Sequence, residues 1–199
     1  MGTIIDNQQY YNLGTTYAIT NKAPELINLK FVLSILNSRL IKFYYIKKFT
    51  NESSLTNAIS TQNLFNIPIN KIEISAQQPF INKADLMLSL NKDFQTISQK
   101  FATYFSADNK LEKLSAKLSN WYELDFPDFI KELNKAIKAV KSAPLTPKEG
   151  FNWMELFEEN KQKALALKAE IDRTDKKIDQ MVYELYGLTE EEIKIVEGN

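Results

Sequence analysis

The sequence contains no cysteine and no histidine. Without cysteine, the chain can form neither a disulfide framework nor a thiolate metal site. Histidine is the usual general base near neutral pH and the commonest metal ligand, so a Ser-His-Asp triad, a Cys-His pair and a conventional zinc site are also excluded. Chemistry based on carboxylates and lysine remains possible. We therefore expect neither catalytic residues nor a metal site, and an enzyme is the less favoured class.

Glycine is scarce, and long apolar runs are missing. The five glycines are scattered singly, so the sequence has no glycine-rich phosphate loop. The most apolar stretch, Phe31–Ile46, is interrupted by polar and charged residues and falls short of the roughly 20 apolar residues that a membrane span needs. The first residues, Met1–Asp6, lack the basic start and apolar centre of a signal peptide. These features predict a cytoplasmic protein with no membrane partner.

Neither sign of charge dominates, since 25 basic residues balance 25 acidic ones. A neutral sum taken alone disfavours a nucleic-acid-binding protein. The distribution is uneven, however. Residues 1–110 hold 11 basic and 7 acidic residues, and residues 111–199 hold 14 and 18, so the front is net +4 and the rear net −4.

The front of the chain mixes strand and helix patterns. Gln9–Thr20 is rich in aromatic and β-branched residues and predicts a strand or hairpin. Apolar residues recur at steps of three and four over Glu25–Lys48, which predicts a core helix. Thr50–Thr61 is polar and predicts a loop, and Leu64–Ile69 predicts a short strand at a sheet edge. Because the β pattern starts so early, we expect the chain to begin inside a larger domain.

The rear of the chain is predicted to be helical. A long helix should begin at Pro79, a residue suited to a first helical turn. A second helical region, Leu111–Val140, is expected to be interrupted by Pro127. Ser142–Pro147 predicts a linker, and Thr146 should cap the helix that follows it.

The last helix has the most regular pattern, with apolar residues at alternating steps of four and three. This spacing is typical of a coiled-coil seam, in which the polar residues Asn160 and Thr174 could fix the register. The seam could pack against a second copy in a homodimer or against preceding helices of the same chain. Gly187 should end the helix, and Thr189 should open a short helix with a capping box. The seam comprises Trp153, Phe157, Asn160, Ala164, Leu167, Ile171, Thr174, Ile178, Met181, Leu185 and Leu188.

Arg39–Phe49 is a basic and aromatic stretch with two interpretations. It could be an ordinary core helix with a solvated basic face. Alternatively, its cations could contact DNA phosphates while the polar loop that follows contacts base edges. The candidate DNA-binding residues are Arg39, Lys42, Lys47, Lys48, Asn51, Ser53, Ser54, Thr56 and Asn57.

Two stretches resemble known restriction–modification proteins. The end of the chain, Ile171–Gly198, is similar to the C-terminus of type IIG restriction–modification enzymes, which carry "IDxxVYxLYGLTEEEIxIVEG". Leu33–Tyr45 is similar to "LxxLNSxLIxFYY" in the C-terminal specificity domains of TaqI-like DNA adenine methyltransferases and their type IIG relatives.

A third similarity, to type I specificity subunits, supports the first two. Ala58–Ser60, Asn63-Leu64, Ile67–Ile69 and Gln77-Gln78 follow the order of a polar loop, an "IPxP" strand and a glutamine-led helix. The sequence departs from that pattern at Asn70, where the second proline is missing.

The resemblance implies an α+β, mostly helical fold and a role in DNA specificity. A small, partly β target recognition domain (residues 1–78) would precede long helices (residues 79–199) that end in a coiled-coil-like helix. The chain would choose the double-stranded DNA site for methyltransferase and nuclease domains of its parent protein. S-adenosylmethionine and Mg²⁺ would belong to that parent, because the "NPPY"-type methylation motif and a nuclease motif are missing here. The alternative function is a helical docking or dimerisation module that does not bind DNA directly.

Overall fold

The computed structural model describes residues 17–49 and 60–198, and every regular element within these ranges is helical. Within the same ranges, none of the helices combines the length and apolarity needed to cross a bilayer. The α-helices are α1 (Leu29–Asn37), α2 (Arg39–Phe49), α3 (Thr61–Phe65), α4 (Gln78–Asp108), α5 (Ala116–Ser119), α6 (Phe126–Ala139), α7 (Pro147–Tyr186) and α8 (Glu190–Glu197), and two 3-10 turns cover Ile74–Gln77 and Trp121–Glu123.

The chain forms two compact units. The first unit contains both ends of the chain, Met1–Met87 and Arg173–Asn199, and the second contains Leu88–Asp172. The boundaries fall within α4 and α7. This grouping differs from the predicted domains 1–78 and 79–199, because the last residues belong with the front of the chain.

The predicted helix Glu25–Lys48 is in fact two helices. Asn28 caps α1, since its side chain accepts a hydrogen bond from the backbone N–H of Lys30 at 2.8 Å. Ser38 then takes an extended conformation (ψ 154°) and ends α1. Its hydroxyl donates to the Ile35 carbonyl at 2.7 Å and accepts from the Ile41 N–H at 3.3 Å, so one side chain ends α1 and starts α2.

The mostly helical character is confirmed, but the partly β character is not seen in the described residues. The predicted strand Leu64–Ile69 is wrong. Its first residues end α3, which Ser60 caps by accepting the Asn63 N–H at 3.1 Å, and the chain beyond is irregular. Of the other predicted strand, residues 9–16 lie outside the described residues, and residues 17–20 form no regular element.

The core of the first unit joins residues from both ends of the chain. Phe31 and Phe80 meet edge to face, with ring centroids 5.2 Å apart. Gln77, although polar, is almost fully buried and has its amide satisfied: it accepts from the Asn28 N–H and donates to the Leu26 and Ile72 carbonyls. The buried apolar residues of this core are Phe31, Ile35, Leu36, Ile41, Tyr45, Ile67, Phe80, Ile178 and Val182.

The core of the second unit is a cluster of aromatic rings. Phe129 stacks on Phe157 with ring centroids 4.6 Å apart, and the ring centroids of Phe101 and Trp121 are 4.4 Å apart. The Trp121 indole donates to the Ser98 carbonyl at 3.1 Å, so its polar atom is also satisfied.

Pro127 begins a helix rather than interrupting one. It lies in the first turn of α6, where a missing backbone N–H costs nothing. Asp125 caps this helix by accepting the Asp128 N–H at 2.8 Å. The expected interruption of Leu111–Val140 at Pro127 is therefore wrong.

The predicted seam residues of α7 pack within the chain's own cores. Trp153, Phe157 and Ala164 are buried in the second unit, and Ile178 is buried in the first unit with Met181 and Leu185 packed against the same core. Thr174 is buried, whereas Asn160, Leu167, Ile171 and Leu188 are half-buried. Packing within the chain thus accounts for the buried seam positions, and a coiled-coil homodimer stays a prediction.

The predicted ends of the last helices are confirmed. Thr146 and Glu149 hydrogen-bond each other's backbone N–H groups at the start of α7. Gly187 adopts a left-handed conformation (φ 68°) after α7. Thr189 and Glu192 form the predicted capping box of α8.

We predict that Phe157→Ala destabilises the second unit far more than Phe151→Ala on the same helix. Phe157 is fully buried, whereas Phe151 is 70% exposed. Removing the buried ring should lower the free energy of unfolding by about 3–5 kcal/mol, and removing the exposed ring should change it by no more than about 0.5 kcal/mol. Urea unfolding followed by circular dichroism measures both values, and equal losses would contradict the described core.

Candidate functional site

Helix α2 presents a basic surface. Residues 26–51 contain five basic residues and no acidic one. Ile41 and Tyr45 point into the core of the first unit, whereas Arg39, Lys42 and Lys47 are exposed to solvent. The four predicted cations of this helix are therefore all on the protein surface, with Lys48 at the helix end.

The three lysines of this surface are available for a ligand. Lys42, Lys47 and Lys48 are all exposed. Lys47 lies over the Phe43 ring, 6.0 Å from its centroid. No ion pair joins any of the three to another residue of the described ranges.

Arg39 is held differently from the lysines. Its Nε lies 3.2 Å from the Asp179 carboxylate, and its side chain is about half exposed. The remaining candidates lie outside the described residues, so the structure does not place them; they are Asn51, Ser53, Ser54, Thr56 and Asn57.

Asp179 positions the start of the basic helix. Its carboxylate, only 4% exposed, accepts the backbone N–H of Arg39 at 2.8 Å. An anion at this point is favoured by the unpaired N–H groups and the dipole of a helix N-terminus. Burial raises the pKa of Asp179, as do the charges of Asp175 and Glu197, while the N–H and the charge of Arg39 lower it. The net effect is a raised pKa of Asp179.

A second contact ties the end of α7 to the irregular segment after α3. The Tyr186 hydroxyl donates to the Pro68 carbonyl at 2.6 Å and accepts from the Asn70 N–H at 3.2 Å. The Asn70 amide also donates to the Leu185 carbonyl at 2.9 Å. Proline at position 70 would have no N–H to donate, so the departure from the "IPxP" pattern is matched by these two hydrogen bonds.

The sequence patterns assign no functional role to Asp179, Tyr186 or Asn70. One signal was available for Asp179, which directly follows the apolar seam residue Ile178 and is therefore close to the buried side of its helix. Nothing local to Asp179 identifies its partner, since Arg39 is 140 residues away along the chain.

The surface of α2 has the chemistry of a polyanion site. Exposed lysines beside aromatic rings can contact phosphates, but they offer no acid–base pair or nucleophile activated by a base. Within the described residues, no group of three or more acidic side chains is placed to hold a metal ion.

We predict that Asp179 carries part of the pH dependence of stability. Because folding raises its pKa, its contribution is fully present below the unfolded pKa and is lost as the pH rises through the folded pKa. Asp179→Asn removes this titration. The free energy of unfolding of the wild type minus that of the Asn variant should therefore fall as the pH rises from about 3.9, the pKa of an unfolded aspartate, through the higher pKa of folded Asp179.

Urea unfolding at several pH values tests this prediction. Asp172→Asn, an exposed position on the same helix, is the matched control. Asp179→Ala should in addition lower stability by about 1 kcal/mol at every pH, because it leaves the Arg39 N–H without its acceptor. An equal pH trend in the Asp172 and Asp179 variants would contradict the assignment.

Two family models match the chain, and together they account for most of it. The TaqI-like C-terminal specificity domain matches residues 1–69, and the family described as a domain of unknown function (DUF8810) matches residues 73–182. Neither the curated proteins nor the solved structures contain a match.

The first match confirms the resemblance to a TaqI-like specificity domain, and it includes every predicted DNA-binding residue. The second covers more than half of the chain and contains the whole second unit. The chain therefore belongs to the DUF8810 family, with a TaqI-like C-terminal specificity domain match in front of that region.

Proposed function

We propose that this chain recognises a DNA target site for a restriction–modification enzyme. One observation carries the proposal: α2 presents exposed lysines and no acidic residue, and it lies within the match to the specificity domain. A duplex carries closely spaced phosphates, so a basic helix face gains affinity by releasing condensed counterions.

The order of elements supports separate roles for the helix and the segment that follows it. Lys47 and Lys48 lie in the last turn of α2, directly before the polar stretch predicted to contact bases. Phosphate contacts fix the register of a protein on DNA, whereas contacts to base edges specify the sequence. In this proposal the lysines position the duplex and the residues after α2 select its sequence.

Arg39 contributes less to DNA affinity than the lysines in this proposal. Its ion pair with the buried Asp179 neutralises part of its charge. Its guanidinium is still half exposed, so a phosphate can approach the face turned away from Asp179. We assign Arg39 mainly to holding the start of α2 in place.

The proposed parent is a type IIG enzyme with adenine methyltransferase and endonuclease domains, located in the cytoplasm. Specificity domains are generally non-catalytic, so methylation, cleavage, S-adenosylmethionine and Mg²⁺ belong to those other domains in this proposal. This chain then supplies the choice of site.

A helical docking module is the less favoured function. That alternative needs the apolar seam of α7 to face a partner. Phe157 and Ile178, two central seam residues, are instead buried in cores of the chain itself. The basic surface of α2 also has no role in that alternative.

We predict that the lysines of α2 contribute to DNA affinity without regard to sequence. Lys42→Ala, Lys47→Ala and Lys48→Ala should each weaken binding to all duplexes similarly. Each should also reduce the slope of log K against log salt by about 0.9, because one phosphate contact is lost. Fluorescence anisotropy with a labelled pool of random duplexes measures both effects. Lys135→Ala and Lys138→Ala, exposed positions on α6, are the controls, and unchanged slopes for the α2 variants would refute the phosphate contacts.

We predict that changes at Asn51, Ser53, Ser54, Thr56 or Asn57 alter which sequences bind. Selection from a random duplex pool, followed by sequencing, would compare the preferred sites of each Ala variant with that of the wild type. A contact to a base edge is worth about 1–3 kcal/mol of discrimination, so its loss should relax the preference at one base pair. An unchanged preference in all five variants would exclude this segment from sequence recognition.

A further inference from the structure

The first unit contains a second polar site, which shares only Arg39 with the basic surface of α2. It is a cleft of about 560 Å³ formed by the start of α2, the end of α7 and the short helix α8. We call it the C-terminal cleft, and it is lined by Arg39, Lys176, Asp179, Gln180, Tyr183, Glu184, Leu188, Ile193 and Glu197. The proposed function assigns no ligand to it.

The charge of the C-terminal cleft favours a cation. Three of its lining residues are acidic and two are basic, and one of the basic residues, Arg39, is already paired with Asp179. Its surroundings are more acidic still, because residues 178–198 contain six acidic residues and one lysine. Neither Glu184 nor Glu197 forms an ion pair with another residue of the described ranges.

Tyr183 provides an independent observation. Its side chain is only 3% exposed, and its hydroxyl makes no hydrogen bond within the part of the chain that the structure describes. Burial raises the pKa of Tyr183 to about 12, and the nearby charges of Asp179 and Glu197 contribute to the increase. The hydroxyl is therefore a neutral group close to the Glu197 carboxylate, and no acceptor in the described residues meets it in full hydrogen-bonding geometry. Its oxygen can accept an N–H from a ligand.

The shape of the ligand follows from the remaining lining residues. Leu188 and Ile193 are half-buried and give the cleft an apolar wall. An arginine side chain carries an aliphatic stem that packs on such a wall, and its charged end stays among polar groups. Its planar guanidinium offers several N–H donors, enough to reach a carboxylate and the Tyr183 oxygen together.

We propose that the C-terminal cleft binds the side chain of an arginine in a basic segment of a partner protein. The guanidinium lies beside the Glu197 carboxylate and the Tyr183 hydroxyl, and the stem contacts Leu188 and Ile193. DNA is not the ligand of this cleft, because its phosphates would meet three carboxylates. The proposal does not depend on DNA binding by α2.

Nuclear magnetic resonance titration of the full chain tests this proposal. The probe is the capped tripeptide Gly-Arg-Gly, and its control is the same peptide with citrulline, which has the shape of arginine without its charge. The arginine peptide should shift the amide resonances of cleft residues saturably, the matching lysine peptide should bind more weakly, and the citrulline peptide should have no effect.

Three variants locate the binding site. Glu197→Gln should weaken binding of the arginine peptide several-fold by removing a charge, and Tyr183→Phe should weaken it by removing only the hydroxyl. Glu190→Gln, in the first turn of α8 and outside the cleft, should bind the peptide as the wild type does. The same spectra show whether each variant is folded.

Several results would overturn the proposal. These are the absence of saturable shifts with the arginine peptide, equal binding of the citrulline peptide, an equal loss in Glu190→Gln and Glu197→Gln, and stronger shifts of the same resonances by a DNA duplex. DNA affinity measured separately by anisotropy distinguishes this failure from failure of the proposed function.

Discussion

The hydrogen bond from the Arg39 N–H to the Asp179 carboxylate is the contact on which the first unit depends. It joins residues 140 positions apart and fixes the start of the basic helix against the end of the chain. Both ends of the chain are therefore needed to build the surface that carries the predicted DNA contacts. A carboxylate buried at this point costs free energy through desolvation, and its raised pKa is the sign of that cost. The backbone N–H and the charge of Arg39 offset part of this desolvation cost.

Several residues that carry the resemblance to restriction–modification enzymes have structural roles here. Tyr186 binds the segment around Pro68, Gly187 allows the turn after α7, and Thr189 caps α8. In the front of the chain, Gln77 links the start of α1 to the start of α4 with a fully satisfied buried amide. These residues help to build the first unit, in which the lysines of α2 are exposed.

Features that depend on near neighbours were predictable from the sequence. The helix caps at Thr146 and Thr189 were predictable, because each capping partner is only three residues away along the chain. The break between α1 and α2 at Ser38 was not predictable, because the apolar spacing continues through this residue. Only the hydrogen bonds of the serine hydroxyl mark the change of direction. Periodicity does not distinguish helix from strand in an apolar run as short as Leu64–Ile69. The candidate DNA-binding lysines could be placed on a solvated helix surface from the sequence alone. The partner of Asp179 could not, because it requires a contact between the two ends of the chain.

Separation of charge within the first unit explains how a neutral chain can present the basic surface that we propose for DNA binding. Residues 26–51 carry five basic and no acidic residues, whereas residues 178–198 carry six acidic and one basic. At about 0.1 M salt, charges are screened over about 10 Å, so a ligand responds to the nearest charges and not to their sum. In the proposed function, a duplex is therefore attracted to the lysines of α2 and repelled by the acidic surface of α7 and α8. The same repulsion leaves the acidic surface to a cationic ligand, and the two sites need not compete.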